Sequence, residues 1–150
     1  MNYEDVIRDF AQRTLKNLQA IERLRSEGQD VYEITQLVNS TLGILVFPQQ
    51  RYIDQIPNTP LKQLKQQGWP IPKVRPGLQQ VEDLNQLIRY LRNAIAHFNI
   101  EFIGDGQNRL HMLRVWNMRR GNKIWEAELS FDDLRGIAER FIELLLRKTE

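Results

Sequence analysis

Residues 78–98 read LQQVEDLNQLIRYLRNAIAHF, and the reading of this stretch decides the architecture. At about 100° per residue, Val81, Leu84, Leu87, Ile88, Leu91, Ala94, Ile95 and Phe98 fall on one apolar arc. An arc of that width predicts a helix over about 78–98 that packs one face into a core. Gln86, Arg89, Tyr90, Asn93, Ala96 and His97 fall opposite, with Arg92 at the arc's other edge. Asn93 lies between Arg92 and His97, about 40° from the histidine. A guanidinium, a carboxamide and an imidazole therefore project into one space from the last turns of one helix. Such groups suit holding a phosphate and moving a proton beside it. The other reading is a solvated polar face that happens to end in histidine.

Upstream, Val6, Ile7, Phe10, Ala11, Leu18, Ile21 and Leu24 predict a helix over about 3–27, stopped by Gly28. A second helix is expected from Asp30, with Glu33 in a capping-box relation. Its last third, Leu42–Phe47, is apolar on nearly all sides and is expected at the centre of the core. Gly43 within it points to close helix–helix approach. Residues 48–77 carry all six prolines and read as a long irregular connection with a short helix near 61–67. Downstream the period changes: 100–103, 110–118 and 123–129 read as strands of an antiparallel meander, about 99–129. Ser130 caps a final helix with an apolar face of Phe131, Leu134, Ile137, Ala138, Phe141, Leu144 and Leu145. The expected fold is mainly α: one domain over residues 1–150, four long helices with a small antiparallel β meander inserted before the last.

With 41% apolar and 27% charged residues and no low-complexity tract, disordered and fibrous classes are excluded. No cysteine is present, so disulfide scaffolds, cysteine nucleophiles and thiolate metal sites are excluded too. There is no HExxH and no His/Asp/Glu cluster at metal spacing, so no metal and no cofactor is expected. No stretch is apolar enough to span a bilayer and no signal peptide is evident, which reads as a cytoplasmic protein. Net charge is only +2, yet Asp54–Glu82 and Asp105–Glu126 enclose segments with basic residues and no acidic one. The second holds Arg119, Arg120 and Lys123. Such segments suit contact with a polyanion or are plain solvated surface. Of the two histidines, His97 and His111, the latter sits in a strand with no carboxylate at ligand spacing and reads as a surface residue.

Arg92-Asn93-Ala-Ile-Ala-His97 resembles the RNxxxH signature of the HEPN superfamily, the higher eukaryotes and prokaryotes nucleotide-binding domain. The Leu-Val-Phe-Pro ending of the second helix and the meander before a Ser-capped final helix resemble a branch of HEPN family nucleases. HEPN domains are helical bundles whose motif lies late in the third long helix. Many are metal-independent endoribonucleases, often toxins or defence effectors, that act as homodimers.

The resemblance implies an RNA-cleaving homodimer with Arg92, Asn93 and His97 as catalytic residues. It also makes a cognate antitoxin or nucleotidyltransferase a candidate partner, and no membrane. Arg89 and Tyr90, on the same helix face, are candidates either for binding the strand or for covering the dimer seam. Arg119, Arg120 and Lys123 are candidates for RNA binding. The alternative is a non-catalytic RNA-binding or regulatory HEPN module controlled by a partner protein, and a third reading is an interaction bundle whose polar arc is only an interface.

Overall fold

Asn2 starts the first helix: its side chain accepts from the Asp5 backbone N–H at 2.9 Å while Asp5 reaches back to the Asn2 N–H, a capping box. The computed structural model describes residues 2–48, 50–107 and 109–147. Their elements in chain order are α1 (Tyr3–Ser26), α2 (Glu33–Val46), α3 (Gln50–Asp54), α4 (Leu61–Gln66), β1 (Lys73–Val74), α5 (Leu84–Ala96), β2 (Ile100–Gly104), β3 (Leu110–Arg119), β4 (Asn122–Ser130) and α6 (Phe131–Arg147). The domain is mainly helical, with an antiparallel sheet of order β1-β4-β3-β2.

The helix α2 packs on α1, α5 and α6, and the sheet lies against α5 and α6 through β3 and β4. Ile44 and Leu45 of α2 are buried, but Leu42, Val46 and Phe47 are more than a third exposed. Leu42–Phe47 is therefore not wholly central, because neighbours cover α2 on three sides and leave the fourth to solvent. Gly43 does mark close approach: a Cβ there would lie 3.2 Å from the Phe10 ring of α1. The capping box expected at Asp30 does not form. Tyr32 is the N-cap, without a side-chain hydrogen bond, and the helix begins at Glu33.

The proline-rich connection is more ordered than its composition implies. It contains α3, α4 and β1, and β1 adds a fourth strand by pairing with β4 through Lys73–Glu128 and Val74–Ala127. The chain stays beside β4 beyond that pair: Arg75 N–H donates to Glu126 O at 2.8 Å and Gln79 N–H to Ile124 O at 2.9 Å. The Gln79 bond to β4, and beyond it the Leu61 N–H to Glu82 O bond at 3.1 Å and a Pro60–Asp83 bridge, hold this segment out of the helix expected from 78, which starts at Leu84. Asp83 is its N-cap, accepting from Gln86 N–H at 2.9 Å. Ser130 caps α6 as expected, accepting from Asp133 N–H at 3.0 Å.

Three helices end in the same hydrogen-bonded turn. In α1 the N–H groups of Gly28 and Gln29 donate to Arg25 O and Leu24 O, and Gly28 has φ +80°. In α4, Gly68 and Trp69 repeat the pattern with Gly68 at φ +79°. In α5, Phe98 and Asn99 donate to Ile95 O and Ala94 O, but the left-handed position is Phe98, at φ +56°. A side chain in that conformation costs roughly 1–2 kcal/mol that glycine avoids.

Candidate active site

The end of α5 is where the chemistry-bearing residues gather. His97 is its C-cap, with its N–H bound to Asn93 O at 3.1 Å, and the turn exposes both side chains. Asn93 and His97 line an open groove of ≈ 460 Å³ together with Tyr90, Asn99, Asn117, Met118 and Ile124. The helix supplies one wall and the β3–β4 hairpin the other.

Polar bonds fix the spacing of the two walls. Asn117, only 7% exposed, donates from Nδ2 to Tyr90 O at 3.0 Å, tying β3 to the middle of α5. Trp116 N–H donates to Asn99 O at 3.2 Å. Tyr90 sets its ring edge-on to Trp125, with centroids 5.4 Å apart, and its hydroxyl donates to Gln79 Oε1 at 2.8 Å. A register shift between Asn117 and Met118 then re-aims the end of β3, as bulges do. Met118 thus reaches the groove while Leu113, Val115 and Asn117 face inward.

The other expected site residues are divided between this groove and other surroundings. Arg92 is half-buried and does not line the groove. Arg89 points its charge to α3: its guanidinium meets Asp54 at 2.5 Å and Asn85 Oδ1 at 2.6 Å. Asn85 in turn donates to Ile53 O and Ile56 O, so Arg89 belongs to the docking of α3 on α5. Lys123 pairs with Glu126 and lies 5.0 Å over the Trp116 ring. That hydrogen bond, with Arg75 at 3.1 Å, holds the buried Glu126 carboxyl below the usual carboxylate range although burial pushes it the other way. Arg119 and Arg120 are exposed and make no ion pair among the described residues. Arg120 (φ +49°) and Gly121 (φ +79°) form the two-residue turn of the hairpin, directly after the groove wall.

Phe98, expected on the apolar arc, is 74% exposed. The helix ends one residue before His97, and the left-handed turn swings Phe98 off the arc and away from the core. His111 lies at the start of β3, in a second groove with Glu22, Glu33, Asp132 and Arg135. The carboxylates that sequence spacing does not place beside His111 are thus brought there by α1, α2 and α6. Among the described residues no three His, Asp or Glu side chains gather in a way that could hold a metal ion. No described helix is long and apolar enough to cross a membrane.

Asn99, Asn117, Met118 and Ile124 are not legible in the sequence as groove residues. Only Asn117 carries a signal, as a carboxamide in the inward phase of Leu113, Val115 and Asn117, where an apolar residue is the rule.

A mainly helical domain with a polar groove at one helix end, closed by a small sheet, is the class these features define. The family model described as HEPN pEK499 p136 matches residues 1–150, and the chain belongs to that HEPN family. No curated protein and no solved structure matches the chain.

Proposed function

We propose that the protein is a metal-independent endoribonuclease, acting as a homodimer and serving as a toxin or defence effector in the cytoplasm. The observation that carries this reading is the joint exposure of Asn93 and His97 in one groove beside the cationic hairpin turn Arg119–Arg120. Membership of a HEPN family supports an RNA-related role.

The reaction needs no group beyond the chain and the RNA itself. The ribose 2′-oxygen attacks the adjacent phosphorus, the new O2′–P bond forms and the P–O5′ bond breaks. One His97 takes the 2′-hydroxyl proton and the His97 of a second protomer gives a proton to the departing 5′-oxygen. Arg92 stabilises charge on the phosphorane and Asn93 orients the reacting groups. Tyr90 forms part of the groove wall, and Arg119, Arg120 and Lys123 hold the strand.

Purified protein should cleave RNA in EDTA, leave DNA of the same sequence intact, and produce 2′,3′-cyclic phosphate or 3′-phosphate ends. Cleavage that needs Mg²⁺ defeats the mechanism, and a stable monomer in sedimentation at micromolar concentration defeats the two-histidine scheme.

The hairpin has a separate test. Neutralising Arg119 and Arg120 should weaken RNA affinity and reduce the slope of log affinity against log salt, by about 0.7 for each single-strand phosphate that no longer meets a cation. An unchanged slope would assign the turn to solvated surface.

The second reading, a non-catalytic RNA-binding or regulatory module controlled by a partner such as an antitoxin or nucleotidyltransferase, is favoured by one feature. Arg92 does not line the groove that holds Asn93 and His97. Salt-sensitive RNA binding without cleavage under any condition selects this reading.

A further inference from the structure

Among the described residues, two that are not glycine have positive φ, Phe98 at +56° and Arg120 at +49°. Both flank the same groove. Phe98 stands between His97 and Asn99, which line it, and Arg120 follows two residues after Met118, which also lines it. The two-residue hairpin turn itself requires the positive φ of Arg120, whereas Phe98 holds that conformation at a helix end where glycine would avoid its cost. Packing does not account for Phe98. Its side chain is 74% exposed and makes no ring contact among the described residues, whereas the equivalent turns of α1 and α4 use Gly28 and Gly68.

A flat apolar ring held in solvent, beside the exposed Asn93 carboxamide, the half-buried Asn99 and an arginine turn free of ion pairs among the described residues, matches the chemistry of an unstacked nucleotide. The ring takes the face of a base, carboxamides take its edge, and the guanidinium takes phosphate. We infer that Phe98 is a stacking platform for an unpaired nucleobase of the strand bound at the His97–Asn93 groove, with Asn93 and Asn99 beside the edge of that base. The inference rests on the RNA reading above and narrows its substrate to single-stranded or looped RNA.

The test is fluorescence anisotropy with a single-stranded oligonucleotide carrying 2′-O-methyl groups throughout, which cannot be cleaved, and a set of strands each with one abasic position. Phe98→Gly should weaken binding about 5- to 150-fold, the range of one base–aromatic stack. The same change should raise Tm by a few degrees by relieving the left-handed side chain. Phe98→Leu should bind as weakly as Phe98→Gly with a Tm near wild type, and Phe98→Trp should bind as well as wild type. One abasic position should weaken wild type and leave Phe98→Gly unaffected.

Wild-type affinity in Phe98→Gly overturns the inference. So does a change from dimer to monomer in sedimentation with equal loss for intact and abasic strands, which places Phe98 in a protein–protein seam. A wild-type protein that binds no RNA defeats both this inference and the reading beneath it. Cleavage of the all-ribose strand by wild type reports on the nuclease reading alone.

Discussion

Replacing His97 by alanine should slow RNA cleavage by about 10²–10⁴-fold, the usual cost of a positioned proton-transfer group, and leave the melting temperature close to wild type. The side chain is exposed, and the bond that closes the helix runs from the His97 backbone N–H to Asn93 O, which alanine keeps. Arg92→Ala should also abolish cleavage, with some loss of stability, because Arg92 is half-buried rather than free on the polar arc. Arg92→Lys separates the two effects. Lysine keeps the charge and the apolar stem but not the planar fork, so it should restore stability without restoring the rate. Asn93→Ala should fall between, since an orienting amide contributes less than charge or proton transfer.

His111→Ala is the informative control because His111 also lies among carboxylates, in the groove with Glu22, Glu33 and Asp132. It should retain activity. A wild-type rate in His97→Ala, or a dead His111→Ala, would move the active site to the other groove.

Much of this architecture follows from local rules that act within a few residues. The period of apolar side chains finds α1 almost to the residue and the buried face of α6, and Ser130 with Asp133 finds the start of α6. The α5 face is right over Leu84–Ile95 for the same reason, since all its inward residues are buried. The failures share a cause. Residues 73–75 and Gln79 are shaped by bonds to β4, more than 40 residues away in the chain, and residues 82–83 by bonds to 60–61, and no local pattern carries those partners. Phe98 departs from its arc because the helix closes before it, in a turn whose preferred residue is glycine. The site is half legible. Asn93 and His97 share a helix face at a spacing geometry can read, whereas the opposite wall is assembled by sheet pairing and the pairing of Arg89 with Asp54 depends on where α3 docks.

Trp125→Ala should be the most damaging single change to the scaffold of the groove, costing about 3–5 kcal/mol and lowering Tm by roughly 6–20 °C. Trp125 is fully buried, pairs across the sheet with Asn117, and carries the edge of Tyr90. Asn117 and Tyr90 share a hydrogen bond that ties β3 to α5, so the cavity opens beside the junction between the two walls of the groove. Trp125→Phe should recover most of the loss. An aromatic ring refills much of the space, and the indole Nε1, buried with no hydrogen-bond partner among the described residues, is removed. A buried N–H left unsatisfied costs about 1–3 kcal/mol, which offsets the smaller ring. Thermal unfolding of the three proteins followed by circular dichroism checks the order. If Trp125→Phe melts as low as Trp125→Ala, the indole N–H has a partner that matters. If both melt with wild type, the sheet does not depend on this side chain, and the spacing of the groove rests on the Asn117–Tyr90 and Trp116–Asn99 bonds.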